Sequence, residues 1–522
     1  MIIKDDLTKF ANEFSTELLK FNQGLEKEGL RVLGEGQIST YDHAKDLGHK
    51  LTHPYITTDY AENLLEFISP VYNKDERLMN FIEQVHLYTF KNMHSDEVIW
   101  PASMPAVLPE KDFDIPLAYY GESFPGKLKT LYRSGLGYRY GRSMQAIAGV
   151  HFNFSFSQSF IIELFKELKT HEHLNDFQDD LYFKLIRNFR RTSFILPFLF
   201  GASPVVDESF LKNKQHNLTK LGKNTFGKEF ATSLRMGGLG YTSNAQKSIS
   251  ICYNQIKTYI NTLEKARLTS YPDYEKIGVK VDGEYRQLNS NLLQIDNEFY
   301  STIRPKHVAL SGESALQALN RGGVEYIEVR LMDLNPYTLG GINEEGIRFL
   351  QHYLTYCLCA PADVIPADEC ETIDENFSTV VTEGRDPKAT IKFRNKDMLV
   401  KDSVGIILEE MESLLSCNTD LKNYFQKGID RQREKLANYD LLPSQRMLNA
   451  INEETSFVDH VLEQANILKA QALKMSEDEK LFMELELLKH KSFEEEARIY
   501  RAQSGDFDTY LENYFKQIRI ED

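Results

Sequence analysis

Strict alternation of apolar and polar residues is the clearest pattern in this chain. His151-Phe152-Asn153-Phe154-Ser155-Phe156 sends three aromatic rings to one side and an imidazole, an amide and a hydroxyl to the other. A period of two predicts a strand with one face in a core. The polar face suits ligand contact, although a merely wet sheet face has the same pattern. Leu25-Glu-Lys-Glu-Gly-Leu-Arg-Val32 has the same period and puts Glu26 and Glu28 on one face. Carboxylates about 7 Å apart on a strand repel unless a cation sits between them, either a Lys/Arg cluster or a metal. A plain surface strand is the alternative. In Glu325-Tyr-Ile-Glu-Val-Arg330, Ile327 and Val329 face one way while Glu328 and Arg330 face the other. This is either a simple ion pair or a place where a metal and an anionic substrate bind side by side, since Arg offers a planar fork. Residues 290–304 predict a further strand with Gln294, Asp296, Glu298 and Tyr300 on one face. Glu66 lies inside the apolar run Leu64-Leu-Glu-Phe-Ile68, so its carboxylate should be buried and require a counter-charge or metal. Whether Glu62 shares a helical face with Glu66 or sits apart on a strand is open at this point.

The texture changes along the chain. Up to about residue 380, short alternating segments mix with helical ones. Apolar residues at three- and four-residue spacing then predict helices over 403–440 and 457–502. The Glu- and Lys-rich stretch 481–500 must keep one face solvated. Pro361, Pro366 and Pro387 mark an irregular connection between the two regions. The expectation is an α+β catalytic body over 1–380 and a mainly helical C-terminal region over 381–522. Two glycine patterns mislead. Gly222 to Lys228 fits GxxxxGK, but Glu229 stands where a magnesium-binding hydroxyl belongs and no buried strand precedes it. Gly135, Gly137 and Gly141 miss the dinucleotide spacing and predict a tight turn beside a helix. His171 and His173 lie in an acidic stretch and are expected at the surface.

Charge and cysteines narrow the classes. With 61 Lys+Arg against 77 Asp+Glu, the net charge of −16 argues against a protein that coats nucleic acid or anionic membrane. It fits carboxylates that hold divalent cations. At 522 residues the length suggests about three units, or one large domain with appendages. The start has no secretory pattern, and the apolar stretch 193–206 is broken by Pro197, Gly201 and Pro204 and too short to span a bilayer. Five cysteines, Cys252, Cys357, Cys359, Cys370 and Cys417, have no framework spacing, which suits a reducing cytoplasm; Cys357 and Cys359 are expected as buried structural thiols rather than half of a metal site. Several carboxylates and one His aimed from separate strands, without thiolates, describe a hard-cation site of the magnesium kind, compatible with manganese.

These segments resemble the proteobacterial type of glutamate–cysteine ligase. The resemblance is carried by Gly24-Leu-Glu-Lys-Glu-Gly-Leu-Arg-Val32, Thr57-Thr-Asp-Tyr-Ala-Glu62, Trp100-Pro-Ala-Ser-Met-Pro105, Gly149-Val-His-Phe-Asn-Phe154 and Gly322 to Arg330. Lys127 to Arg133, Ala231 to Arg235 and Ile303-Arg-Pro-Lys306 agree as well. It runs from about residue 20 to 350; Tyr60 stands where Phe is expected and Asp296 where Glu is expected. It implies a glutamine-synthetase-like fold, a curved, largely antiparallel sheet forming a funnel for two or three Mg²⁺ ions, with Mn²⁺ also acceptable. The implied reaction is the first step of glutathione synthesis, in which L-glutamate, L-cysteine and ATP give γ-glutamylcysteine, ADP and phosphate. By the resemblance, Glu26, Glu28, Asp59, Glu66, His151 and Glu328 are metal ligands. Tyr60, Tyr132, Leu136, Gln145, Arg235, Tyr241 and Tyr300 form the cysteine wall, and Asn153 faces substrate. Arg330, with Glu328, acts at the glutamate and the transferring phosphoryl. Glutathione is the expected feedback inhibitor. A ligase of the same fold with another amine acceptor is the nearest alternative. An enzyme that also adds glycine would need a second ATP-binding domain, for which the residues after 380 are too few.

Overall fold

The computed structural model describes residues 17–212, 214–239, 244–310, 312–416 and 418–520. Seven of its strands pair into one antiparallel sheet: β1 (Phe21–Val32), β2 (Ile56–Thr58), β3 (Leu64–Ile68), β4 (Val98–Ile99), β5 (Val150–Phe156), β6 (Ile303–Lys306) and β7 (Tyr326–Met332). Their order is β6-β7-β5-β1-β3-β2, with β4 also pairing with β1. The alternation in β5 does what its sequence requires. Phe152, Phe154 and Phe156 are buried; Phe21 packs on Phe154, rings 5.2 Å apart, and on Phe156, while Phe152 packs on Phe154. Burial of each such ring contributes about 1.5–3 kcal/mol, so a slip of one residue, which would expose all three, is strongly disfavoured.

Helices cover the apolar side. Helix α1 (Asp75–Asn92) packs on β1, and α2 (Phe124–Tyr140) starts at Ser123, whose hydroxyl accepts from the Gly126 N–H. Helix α3 (Leu174–Thr192) packs against α4 (Glu344–Cys359), which Asn343 caps through the Gly346 N–H. A further helix, α5 (Ala367–Glu383), follows Pro366. Thus Pro366 and Pro387 flank a helix, and the connection expected to be irregular is partly ordered: Pro366 is the N-cap residue, where its missing N–H costs the helix no hydrogen bond.

The helical reading of the C-terminal residues holds, with breaks. Helices α6 (Val400–Leu415), α7 (Thr419–Ala437), α8 (Phe457–Ala472) and α9 (Glu479–Ala502) replace two long ones. Asn418 restarts the chain by accepting from the N–H groups of Asp420 and Leu421. These helices share the main core: α7 packs on α4 and α8 on α1. The single Trp, Trp100, is fully buried, with its ring 5.7 Å edge-on to Phe457 of α8. Helix α9 keeps a wet face, with Met483 and Leu487 exposed.

Two expectations are corrected. Residues 290–302 form no strand; Asp296–Glu298 is a short 3-10 helix and only Ile303–Lys306 is extended. Asp296 accepts from the Leu316 N–H and lies 3.2 Å from Arg267, while Glu298 accepts from Arg139 and Tyr140, so these acids serve the packing. Gly135 and Gly137 lie inside α2 and only Gly141 ends it, at φ 86°. The GxxxxGK stretch is a hairpin, Thr219–Gly222 with Thr225–Gly227. Cys357 and Cys359 are buried, Cys252 and Cys370 are partly exposed, and Cys417 lies outside the described residues. His171 is partly exposed, bonded to Asp180, and His173 is exposed.

Candidate active site

Register builds the site. Glu26 of β1 sits opposite His151 of β5. Asn153, two residues on and therefore on the same face, sits opposite Glu328 of β7, which in turn faces Arg304 of β6. On the other side Glu28 of β1 sits opposite Glu66 of β3. Because residues opposite one another in an antiparallel pair share a face, seven polar side chains from five strands form one diagonal row. Glu62 neither shares a helical face with Glu66 nor sits on a strand. Glu66 is on β3, whereas Glu62 lies in the β2–β3 turn, buried and paired with Lys50.

At the centre of the row, one ligand atom each from Glu26, His151 and Glu328 lies within 4.8 Å of the others. His151 Nδ1 is 3.3 Å from Glu26 and 3.5 Å from Glu328, and Nε2 is 3.9 Å from Glu28. Asn153 donates to Glu26 at 2.8 Å, and the Gly149 N–H donates to Glu28 at 2.6 Å. Arg330 holds Glu328 Oε1 at 2.6 Å, and Lys306 lies 3.7 Å from the other oxygen, Oε2, which accepts no hydrogen bond.

The electrostatics divide the carboxylates into two groups. Burial raises Glu328, but Arg330, Lys306 and Arg304 outweigh it and hold the carboxyl well below its usual range. Burial and Glu328 push Glu26 up, yet His151 and Lys306 leave it net lowered. Glu28 is pushed up to about 8 by burial and by Asp59, against Arg235, the Gly149 N–H and Arg330. Glu66 rises well above the carboxylate range through burial, Asp59, Glu26 and Glu28. Burial and then Arg330 lower His151, so its imidazole is neutral at pH 7. Crowded carboxylates that resist ionisation, a neutral imidazole and a buried carboxylate oxygen without a donor are the features a divalent cation would relieve. The donor set therefore fits a hard cation.

The remaining candidates fall into three patches. Tyr60 is buried against α2, and a Cβ at Gly137 would collide with its hydroxyl, which has no hydrogen-bond partner. Tyr132 and Leu136 sit on the same helix one turn apart. Gln145 donates to the Tyr300 hydroxyl at 2.8 Å. Arg235 is fully buried beside Gly149, where a side chain would overlap its guanidinium, and donates to the Arg330 carbonyl at 2.8 Å. Asp59 lies at the β2 end, near enough to raise both Glu28 and Glu66. Tyr241 lies outside the described residues. Arg304, Lys306 and Arg133 received no role from the sequence. Alternation in Ile303-Arg-Pro-Lys306 puts Arg304 and Lys306 on one face and could have revealed the first two. Arg133, whose Nε donates to the Asp59 carbonyl and whose guanidinium lies over the Tyr120 ring, left no such signal.

Comparison with known proteins agrees with this geometry. The glutamate–cysteine ligase family model matches residues 7–380. The glutamate–cysteine ligase of Hahella chejuensis is 41% identical over 518 residues, which cover 98% of each chain. A crystal structure of glutamate–cysteine ligase from Francisella tularensis in complex with AMP superimposes with a TM-score of 0.89 at 33% identity, over 95% of this chain and 98% of that one. A bifunctional glutathione synthetase from Pasteurella multocida matches with a TM-score of 0.72 at 25% identity, over 90% of this chain and 55% of that one. The α+β fold expected from the resemblance is thus shared with both solved structures. On the family model, the near-complete relative and the superposition together, this chain belongs to the glutamate–cysteine ligase family.

Proposed function

We propose that the chain joins the γ-carboxylate of L-glutamate to the amine of L-cysteine at the expense of ATP, through γ-glutamyl phosphate, as the first step of glutathione synthesis. The observation that carries the reading is the convergence of Glu26, His151 and Glu328 beside the Arg330 guanidinium, in a chain of this family. A carboxylate is a poor acyl donor at neutral pH, so phosphorylation must precede attack by the amine. Glu328 fixes Arg330 at one nitrogen and leaves its other donors for oxygens of the transferring phosphoryl, where charge develops. Lys306 and Arg304 add positive potential on the same edge. Two or three Mg²⁺ ions, or Mn²⁺, held among Glu26, Glu28, Asp59, Glu66, His151 and Glu328 would supply further neutralisation of phosphate charge. Asn153 keeps Glu26 turned towards His151.

On the acceptor side, Tyr60, Tyr132, Leu136, Gln145, Arg235, Tyr241 and Tyr300 are read as the wall that receives cysteine. Arg235, which also lies 3.8 Å from Asp333, is read as the cation that faces its carboxylate, and Gln145 and Tyr300 brace one another. The unpartnered Tyr60 hydroxyl is the one observation that favours the alternative, a different amine acceptor. Glutathione carries a γ-glutamyl end and should compete for the glutamate position. Among the described residues no helix is long and apolar enough to cross a membrane, and the buried thiols of Cys357 and Cys359 fit a reducing cytoplasm. The test is ADP release with each substrate omitted in turn. Release that needs both glutamate and cysteine supports the reading, and release with glutamate and another amine but not cysteine selects the alternative.

A further inference from the structure

A second polar cavity of about 140 Å³ lies behind β7, between Asp333, the start of α4 at Asn343, and the α7 and 443–450 helices that bring Arg431, Gln432, Lys435 and Arg446. Neither Glu328 nor Arg330 lines it. We propose that this cavity binds free orthophosphate in its hydrogen-phosphate form.

Two observations carry the assignment. First, neither Lys435 nor Arg446 has a carboxylate within ion-pair distance among the described residues. Lys435 is buried; its ammonium donates to the Leu199 carbonyl at 3.0 Å and lies 4.4 Å over the Phe200 ring. Arg446 lies 3.6 Å over the Tyr337 ring. The acids of the cavity are engaged elsewhere. Asp333 accepts from Ser203, Ser233 and the Ala202 N–H, and Glu345 lies 3.6 Å from Lys427. Arg431 is paired with Glu434 at 2.7 Å. A buried ammonium held only by a carbonyl and a ring is costly, and burial with Arg431 and Arg446 nearby brings Lys435 down to about 7, against Glu345. The positive end of the 16-residue α4 points to the same place.

Second, Gln432 lines the cavity at 1% exposure; its Nε2 donates to the Gly428 carbonyl, and its Oε1 has no hydrogen-bond partner. Native proteins rarely leave a buried acceptor unmet. The ligand must therefore be anionic towards Lys435 and Arg446 and present a hydrogen-bond donor to Gln432. Hydrogen phosphate carries one O–H, whereas sulfate carries none at neutral pH. The volume is far below the about 300–1,000 Å³ of pockets that enclose larger ligands, so a nucleotide does not fit.

Isothermal titration of the full chain with inorganic phosphate, sulfate and glycerol phosphate tests this. The variants are Lys435→Met, which keeps volume, the surface-exposed Arg446→Gln, and Arg330→Gln as the control for phosphate held in the active site. Saturable phosphate binding is expected, weakened about ten-fold or more by Lys435→Met and by Arg446→Gln, in line with the loss of one charged hydrogen bond. It should persist in Arg330→Gln, and sulfate should bind at least about ten-fold more weakly for lack of the donor. The proposal is overturned by absence of saturable binding, by binding lost in Arg330→Gln but kept in both cavity variants, or by sulfate equal to phosphate. Glycerol phosphate binding as well as orthophosphate would also overturn it, because the site would then belong to a phosphomonoester. Thermal melting of each variant verifies that a lost signal is not lost folding, and the exposed Arg446→Gln variant carries the test if Lys435→Met unfolds.

Discussion

Replacing Glu328 by Gln keeps the side-chain volume and removes one negative charge. That charge sits under two cations, Arg330 at 2.6 Å and Lys306 at 3.7 Å, with Arg304 opposite in register. Two costs can be separated. The folding cost is moderated because Arg330 is 21% exposed while Glu328 is 2% exposed, so water solvates part of the stranded guanidinium. It should fall below the about 3–5 kcal/mol of breaking a fully buried pair. The catalytic cost is larger. In the proposed reaction one ligand charge for the cation is lost, and Arg330 is no longer fixed against the phosphoryl oxygens. Loss of a single preorganised electrostatic contact costs about 3–4 kcal/mol, or roughly 10²–10³ in kcat. A coupled ADP-release assay gives kcat and KM for ATP, glutamate and cysteine, and a thermal melt of the same preparation reports folding. The combination with Arg330→Lys should cost less than the two single changes added together, since both act on one contact. Turnover within a few-fold of the parent, in a variant that melts normally, would remove Glu328 from the site and refute the reasoning.

Arg330→Lys keeps charge but not the planar fork that grips Glu328 and a phosphoryl together, so kcat should drop by about two orders of magnitude; turnover within a few-fold would leave Arg330 a structural ion pair only. L-2-Aminobutyrate, with a methyl in place of the thiol, should be ligated with kcat/KM about 10- to 200-fold below cysteine, and L-serine should fare worse because its hydroxyl must shed water; complete inactivity with aminobutyrate, measured by phosphate release, would make the thiol a participant. Acid should destabilise the fold through buried neutral histidines: burial lowers His352 to about 3 and His53 to about 4. Unfolding lets each take up a proton below about 6.5, so their contribution is complete above that pH. As pH falls towards the folded values it is lost at up to about 1.4 kcal/mol per pH unit and group. Urea unfolding at pH 7.5 and 5.5 should show a smaller pH difference in His352→Gln than in the parent, and an equal difference contradicts the assignment.

The strands that bear the site were legible because their alternation is uninterrupted. In β1, β5 and β7 the period of two separated Glu26, Glu28, His151, Asn153, Glu328 and Arg330 from the aromatic and aliphatic positions, and pairing then brought five of these into one row. Glu66 was legible for another reason, as a carboxylate inside an apolar run. The acids at 296 and 298 misled because alternation over a few residues does not distinguish a strand from an extended loop with a single 3-10 turn. Their contacts, Asp296 with Arg267 and Glu298 with Arg139, span 29 and 159 residues of sequence, which no local period encodes. Gly135 and Gly137 read as a turn because glycine is a poor helix former. Their place inside α2 is set by close approach, Gln294 lying over Gly135 and the Tyr60 hydroxyl over Gly137. The helix ends at Leu415 and Ala472 are likewise tertiary, since in each case the next helix packs back onto the body, α7 on α4 and α9 on α1.

The most direct test of the central claim follows one oxygen atom. With glutamate labelled by ¹⁸O in its γ-carboxylate, ATP, Mg²⁺ and cysteine, the carboxylate attacks the γ-phosphoryl group, and the amine later expels phosphate together with that bridging oxygen. Mass spectrometry should therefore find one ¹⁸O in each phosphate released, together with γ-glutamylcysteine in equal amount. Unlabelled phosphate released along with the dipeptide would contradict the acyl-phosphate route through this site.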